Sequence, residues 1–502
     1  MPQPFVENLF QSTGRRSLIG GLVACVVMVI AGAVRVACAH NELWFDEIMS
    51  IQLANQVSGW WGILSEFRYD NNHYLNSFWL YALGINQHPF WFRAPSIVAG
   101  LLVVPVAYWT VKPYGRTAQV VAAILFAFSY AHVHYSTEAR GYALQVLFVV
   151  AAFGFMDRYH RAGNWKSATG FGVCASMALL SHLLTTNFLL ACGFWTVSFH
   201  SMSPLARKEQ FKRIAVILWL PFLTGVLLYA INVQFLKFGG GPRFNTVWVT
   251  TSAWSLVAGL AKPGWLRAAV GVSVIIALAA SLYVHMQREE KQFQINLASG
   301  IQHGGSQTWK FFLILLFLLP LTRLAVPSSL LFTRYFLLQI TFAFLLLAIL
   351  ASYLATSTVG RRLVWSMLIM FAVVNLFESS RLVTTGRGSY RLALNAMQQA
   401  SDDQDYSIAF SNRILNEPLI HYFDRIGVPS QASVEVIEPE QLPDWFVLHE
   451  TMDCVAEDLP PPADLFVGGQ AYELKFVSRA SYLSGFKWSC YQRSKESVMT
   501  LQ

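Results

Sequence analysis

The chain has 502 residues, of which 55% are hydrophobic, 14% aromatic and only 13% charged. This charged fraction is about half of the ~25% usual in soluble domains, and the apolar residues come in long blocks, so one large soluble core is excluded. The net charge is +8, and many of the basic residues lie in short segments between apolar blocks. Membrane topology explains such a distribution, and no nucleic-acid partner is expected.

The first apolar run, 18–38, follows Arg15 and Arg16 and is too long for the hydrophobic segment of a cleaved signal peptide, so we predict a membrane anchor. A span needs roughly 20 apolar residues, and by that measure the chain holds about eleven. The stretch 167–200 could be one long span or two short ones. The predicted spans lie near 18–38, 95–111, 117–135, 142–156, 167–182, 187–200, 213–231, 267–286, 310–324, 335–354 and 363–378.

Basic residues are concentrated in alternate loops between these spans. By the positive-inside rule those loops face the cytoplasm, which requires two spans within 167–200. The first outer loop, 39–94, and everything after 378 then face the outside, which in a bacterium is the periplasm. We therefore predict a multi-pass protein of the cell inner membrane with a cytoplasmic N-terminus and a periplasmic C-terminus. The basic residues in question are Arg15, Arg16, Lys112, Arg116, Arg158, Arg161, Lys166, Arg207, Lys208, Lys212, Arg213, Arg288, Lys291, Arg361 and Arg362.

The composition changes after residue 378, where long apolar blocks disappear. Patterning predicts helices at 389–400 and 413–426, and strands at 406–410, 433–437, 445–449 and 472–477. The predicted fold is therefore mainly α: a polytopic transmembrane domain over 1–378, followed by a soluble α/β domain over 379–502. Cys454 and Cys490 lie in this outer domain, as a disulfide or as two unpaired thiols.

An acidic pair, Asp46 and Glu47, lies in the stretch WFDE (44–47) just past the first span. On a helix adjacent residues point about 100° apart, so one of the two is expected to be the reactive group. A purely structural alternative is that Asp46 is an N-cap or that both acids serve the helix dipole.

A second group of polar residues lies in SYAHVHYSTEARGYAL (129–144), at a short outer turn between two spans. Arg140 at the membrane surface suits an anionic phosphate headgroup, and Tyr142 stands at the mouth of the next span. Glu138 and Arg140 could instead form a structural ion pair. If the helix continues to Glu138, His134 shares a helix face with it, which permits a metal or a hydrogen bond.

Further candidates for substrate binding lie at other span ends and in the first outer loop. Arg334 and Tyr335 open a span in TRYFL (333–337), and Arg93 lies in WFRAPS (91–96). Arginines at span ends also often extend along the membrane surface without further function. His73 could be a ligand, a base or a surface residue.

Taken in order, these segments resemble the GT-C integral-membrane glycosyltransferases, in the bacterial branch related to protein mannosyltransferases and the lipid A aminoarabinose transferase. The resemblance rests on WFDE (44–47), the R-x-P-S sequence at Arg93, STEARGYAL (136–144) and the later Arg-Tyr pair at 334–335. It covers roughly 40–145 well and the remaining spans only in topology. Many relatives have H-P-P-L-Y where this chain has HYLNSF (73–78).

The resemblance implies that a sugar on a polyprenyl phosphate is transferred, with inversion, on the outer face of the membrane to a hydroxyl of a lipid, glycan or protein. Asp46 matches the family's reactive acid, with Glu47 as a helper, and Arg140 and Arg334 match groups near the lipid phosphate. Some relatives use a divalent metal at the acid site. Here Asp46, Glu47 and His73 could supply ligands, and the sequence leaves metal dependence open.

Two other classes of function compete with this interpretation. One is a transporter or flippase for a lipid-linked substrate, because ionisable residues near spans often mark substrate paths. The charged candidates, however, are predicted on one face of the membrane, and no internal repeat typical of transporters is evident. The other is an assembly subunit whose C-terminal domain binds a partner.

Overall fold

A computed structural model of the chain describes residues 24–201, 207–237, 246–262, 264–274, 332–402, 404–428, 433–452 and 459–494, with a few isolated positions besides. Several predictions fall outside the described residues: the span 310–324, the part of the span 267–286 beyond the helix that ends at 274, Cys454, and the basic residues Arg15, Arg16, Arg288 and Lys291.

The described helices follow the predicted spans and the first outer loop. The N-terminal ones are α1 (Ala24–Cys38), α2 (Phe45–Ala54), α3 (Gly62–Ser65), α4 (Tyr74–Leu83), α5 (Pro89–Thr110), α6 (Arg116–Phe128), α7 (Tyr130–Tyr135), α8 (Tyr142–Ala162), α9 (Trp165–Ser181), α10 (Thr185–Ser201) and α11 (Arg207–Ile231). The later ones are α12 (Thr246–Ser255), α13 (Trp265–Val274), α14 (Leu337–Leu354), α15 (Thr358–Thr385), α16 (Tyr390–Ala400) and α17 (Arg413–Arg425).

Every predicted span that the structure describes contains a helix, but the boundaries differ in places. The stretch 167–200 forms two helices, α9 and α10, as the charge alternation requires. The predicted span 117–135 is split at Ser129, whose side chain accepts from the backbone N–H of His132 (3.4 Å) and so begins α7 as a new helix. The last long helix, α15, continues to Thr385, beyond the predicted end at 378.

Four helical segments among the described residues are both long and apolar enough to cross a membrane: Pro89–Thr110, Arg207–Phe235, Thr333–Leu354 and Thr358–Ala400. Shorter apolar helices accompany them, at Ala24–Cys38, Arg116–Phe128, Val247–Ala258 and Trp265–Val274. The total of about eleven spans stays a prediction.

The C-terminal residues form a six-stranded sheet in the order β2-β1-β3-β6-β5-β4. Strand β1 pairs in parallel with β2 and β3, and the remaining pairings are antiparallel. The strands are β1 (Tyr406–Phe410), β2 (Val434–Val436), β3 (Trp445–Thr451), β4 (Asp464–Val467), β5 (Gln470–Val477) and β6 (Phe486–Arg493). Cys490 lies buried on β6 as a free thiol, which agrees with the alternative of unpaired thiols, while Cys454 lies outside the described residues.

The first outer loop and the C-terminal sheet share one hydrophobic core. Buried residues of α2, such as Ile48 and Ile51, belong to the same cluster as Tyr390, Phe486 and Trp488. Trp44 and Phe45 contact the ring of Phe486, with centroids 6.4 and 5.5 Å away. The sheet is therefore packed directly against the helix that begins at the acidic pair, while a second large cluster fills the space between the long helices.

Candidate active site

Helix α2 begins at the acidic pair because its first turn is stabilised locally. Trp44 has extended backbone geometry and occupies the N-cap position, and its backbone N–H donates to Glu47 Oε2 (3.2 Å). Asp46 and Glu47 lie in the first turn, where the helix dipole favours negative charge. The alternative that Asp46 is the N-cap is wrong, because that position belongs to Trp44.

Asp46 lies between two arginines that come from distant parts of the chain. Its Oδ2 accepts a hydrogen bond from Arg140 Nη1, and Arg334 Nη2 lies 3.4 Å from the same oxygen. The Asp46 side chain remains 16% exposed, against 5% for Arg140 and 10% for Arg334. One carboxylate with an open side and two converging cations thus form a small charged site.

The indole of Trp44 contacts both arginines of this site. The guanidinium carbons of Arg140 and Arg334 lie 5.9 and 5.7 Å from its ring centroid, and Arg334 also lies 4.0 Å from the ring of Phe332. Cation–π contacts of this kind hold guanidinium groups in place without using their N–H donors. Arg334 and Tyr335 lie in a 3-10 turn, Thr333–Phe336, that leads into α14.

Glu47 points the other way and is fully buried. Arg93 donates to both of its oxygens, Nε to Oε1 (2.8 Å) and Nη2 to Oε2 (2.6 Å), and the backbone N–H of Ala139 donates to Oε1 (2.7 Å). The other N–H groups of Arg93 donate to the backbone carbonyls of Ala39, Asn41 and Glu42. Neither side chain of this pair has a donor or acceptor directed at open space.

Glu138 and Arg140 do not pair with each other, so the predicted structural ion pair is wrong. Glu138 is buried, and its Oε1 accepts from His134 Nε2 (3.1 Å) and Arg387 Nε (3.3 Å). Burial raises the pKa of Glu138, but the hydrogen bond from His134 and the charge of Arg387 outweigh it and hold that pKa well below its usual range. Helix α7 ends at Tyr135, so Glu138 lies in the following turn and not on a helix face shared with His134, and the two side chains are joined by a hydrogen bond.

His73 is buried beside Arg140 in a group of three rings. Its ring centroid lies 5.5 Å from Tyr142 and 4.6 Å from His182, and Tyr142 lies 4.8 Å from His182. Burial and then the neighbouring His182, Arg140 and Arg334 lower the pKa of His73 well below its usual value, so this imidazole is neutral. Within the part of the chain that the structure describes, the buried His73 Nε2 and Tyr142 hydroxyl have no hydrogen-bond partner.

The residues named as metal ligands do not come together as a ligand set. Glu47 is bound by Arg93, and Asp46 by Arg140. Over the described ranges, no group of three or more His, Cys, Asp or Glu side chains could hold a metal ion.

Three residues of this region were not predicted from the sequence: Asn41, His182 and Arg387. Asn41 Oδ1 accepts from both Arg93 (3.0 Å) and Arg387 (2.9 Å). Arg387 lies in GRGS (386–389), and an arginine between two glycines directly after the last span was the one signal that could have indicated it.

Residues 77–237 match the family model described as dolichyl-phosphate-mannose-protein mannosyltransferase. This segment includes Arg93, Glu138, Arg140 and Tyr142, which the geometry above brings to the site or its supports. Over this part of the chain, the sequence is similar to a GT-C family of membrane glycosyltransferases. The resemblance found in its sequence is thereby confirmed, and the chain is an integral membrane protein.

Solved structures of archaeal oligosaccharyltransferases are also similar to this chain. The crystal structure of the Archaeoglobus fulgidus enzyme tethered with an acceptor peptide matches with a TM-score of 0.41 and 11% identity, covering 82% of this chain and 63% of that one. The enzyme AglB from the same organism, in complex with an inhibitory peptide and a dolichol-phosphate, matches with a TM-score of 0.36 and 11% identity, covering 85% and 69%. This chain thus spans less than two thirds of the length of the first of these proteins. Among curated proteins, none matches.

Proposed function

We propose that this chain is a glycosyltransferase that moves a sugar from a polyprenyl-phosphate donor to a hydroxyl of a lipid, glycan or protein, with inversion at the anomeric carbon. The observation that carries the proposal is the arrangement of Asp46 between Arg140 and Arg334, with the carboxylate still partly open to solvent. The description of the matching family names a lipid-phosphate sugar donor and a protein acceptor, which supports the donor class.

The reaction needs a base and a cationic environment for the leaving group. The acceptor hydroxyl gives its proton to the Asp46 carboxylate as its oxygen bonds to the anomeric carbon. The bond between that carbon and the phosphate oxygen breaks, and the lipid phosphate leaves with the bonding electrons. Arg140 and Arg334 neutralise the charge that develops on the phosphate.

The arginines hold Asp46 in the absence of donor and become shared with the phosphate when it binds. A guanidinium presents five N–H donors in a planar fork, so Arg140 can bond to Asp46 through one nitrogen and to a phosphate through others. The Tyr142 hydroxyl and His73 Nε2, which have no hydrogen-bond partner among the described residues, offer hydrogen bonds to the same ligand.

We further propose that the reaction takes place on the outer face of the cell inner membrane. The support is the distribution of basic residues along the chain, which by the positive-inside rule predicts a cytoplasmic N-terminus and a periplasmic C-terminus. Under this proposal, residues 1–378 form the transmembrane domain and 379–502 the periplasmic domain.

The test is transfer of label in membranes supplied with radiolabelled polyprenyl-phosphate sugars, comparing the wild type with Asp46→Asn at matched expression. Asp424→Asn is the matched control, because Asp424 is exposed on α17. The proposal predicts that label reaches an acceptor with the wild type and the control but not with Asp46→Asn. If no donor is transferred by the wild type, the transporter alternative gains and a transport assay follows.

A further inference from the structure

Arg387 is a buried arginine that touches both chain segments of the proposed active site without touching Asp46. It lies directly after α15, is 0% exposed, and comes from the part of the chain that continues into the C-terminal sheet. Its guanidinium binds four groups. These are Asn41 Oδ1 (2.9 Å), Glu138 Oε1 (3.3 Å), the His134 carbonyl (2.8 Å) and Thr137 Oγ1 (2.9 Å).

These partners belong to the two segments that carry the reacting groups. Asn41 precedes α2 and is five residues before Asp46, while His134, Thr137 and Glu138 lead to Arg140. A second link between the segments runs through Glu47, which accepts from Arg93 and from the backbone N–H of Ala139. Asn41 Oδ1 joins the two links, because it accepts from Arg93 as well.

The C-terminal sheet fixes the position of Arg387. The carbonyl of Arg387 lies so close to Gly485 that a Cβ added there would be 1.7 Å from it, and Gly485 has a φ of +116° that favours glycine. The hydroxyl of Tyr390 donates to the same carbonyl (3.4 Å) and accepts from the backbone N–H of Phe486 (3.0 Å). Next to these residues, Ser484 Oγ lies 2.6 Å from His134 Nε2.

We infer that Arg387 is a positioning residue. Through it, the C-terminal domain holds the turn that contains Arg140 and the start of α2 in the relative positions that the reaction needs. This inference rests on the proposed function and gives the C-terminal domain a part in it. Rigid support of this kind matters because a displacement of about 1 Å can lower a rate about 100-fold. Arg387 has no contact with the reacting groups and acts through Asn41 and Glu138.

The test compares Arg387→Met and Arg387→Lys with Arg391→Met, an exposed arginine four residues later in the same region. The readouts are transfer per folded molecule, kcat and donor KM, and the thermal midpoint. We expect kcat to fall about 100-fold in Arg387→Met and about 10-fold in Arg387→Lys, with donor KM within about twofold of wild type. Lysine restores the charge but lacks the planar fork that reaches several partners at once.

Two results would overturn the inference: a kcat for Arg387→Met equal to that of the Arg391→Met control, or a loss confined to donor KM. Hydrogen exchange on the full chain gives a readout that does not depend on transfer. The amide of Ala139, bonded to Glu47, and the neighbouring amides of 134–141 should lose protection in Arg387→Met and keep it in the control. Unchanged exchange there overturns the inference, even if the proposed reaction itself proves wrong.

Discussion

Glu47 and Arg93 form a fully buried ion pair with two hydrogen bonds, of 2.8 and 2.6 Å, directly beside the partly exposed Asp46. Two adjacent carboxylates therefore have opposite environments. One is saturated with protein donors and ties α2 to α5, and the other faces the side where a substrate can approach. This difference in environment is the reason why we expect a structural role for Glu47 and a reactive role for Asp46.

Glu47→Gln is expected to act mainly on stability. Removing one partner of a buried ion pair leaves Arg93 with an uncompensated charge, which typically costs about 3–5 kcal/mol. The thermal midpoint of the purified protein in detergent should fall clearly. Glu66→Gln is the control, since Glu66 is an exposed acid of the same outer loop that binds Ser58. Equal midpoints for the two variants would contradict the structural role of Glu47.

Arg140→Lys is expected to lose most of the transfer activity although the charge is kept. A lysine cannot bind Asp46 and a phosphate through one planar group. Loss of a single donor to a developing negative charge typically costs about 100-fold or more in kcat. Initial rates of label transfer check this prediction, and a lysine variant within twofold of wild type would show that Arg140 supplies charge alone.

The sequence predicted these residues but not all of their partners. The order WFDE (44–47), STEARGYAL (136–144) and TRYFL (333–337) indicated a common site because each segment is predicted to lie at the outer end of a span. Topology alone brings such ends to one surface. Topology does not determine which carboxylate contacts which arginine. The sequence therefore left an ion pair of Glu138 with Arg140 open as an alternative, which the structure does not contain.

The missing information is long-range packing. Arg387 lies 249 residues from Glu138 in the chain, and no local pattern connects them. Likewise, the strands at 464–467 and 486–493 were not predicted, although the YSIAF strand was placed at the residues where it is found. Strand β6 is buried over most of its length, and the alternation of apolar and polar residues in FKWSC (486–490) was a signal that could have indicated it.

The shared core predicts that damage to the C-terminal sheet spreads to the first outer loop. Phe486→Ala removes a buried ring that packs on Trp44 and Phe45, and such truncations typically cost about 3–5 kcal/mol. Limited proteolysis should then cut the first outer loop faster. Phe466→Ala, at a ring that is 76% exposed on β4, should behave as wild type. Loop cleavage that does not distinguish the two variants would mean that the domains are independent.

The buried neutral His73 predicts a loss of stability in acid. The lowered pKa keeps His73 neutral in the folded protein, whereas the unfolded chain takes up a proton at its ordinary pKa of about 6.5. The free energy of unfolding is therefore fully present above about pH 6.5 and falls as the pH drops below that value. The limiting slope for one such group is about 1.4 kcal/mol per pH unit. The thermal midpoint should therefore fall between pH 7.5 and 5.5, and fall less in His73→Gln.

His421→Gln is the control for this pH dependence, because its side chain is 67% exposed on α17. It should keep the wild-type fall in midpoint. If His73→Gln also kept the full fall, His73 would have to be protonated or accessible to water in the folded protein, contrary to its burial.

The central claim is that Asp46 takes the proton of the acceptor while Arg140 and Arg334 hold the lipid phosphate. The most direct measurement is single-turnover release of polyprenyl phosphate from saturating donor, together with donor binding, for wild type and Asp46→Asn. The account predicts that Asp46→Asn binds donor at least as tightly as wild type, because both arginines are relieved of their carboxylate, but releases phosphate about 100-fold more slowly or not at all. Release at the wild-type rate by Asp46→Asn would contradict it.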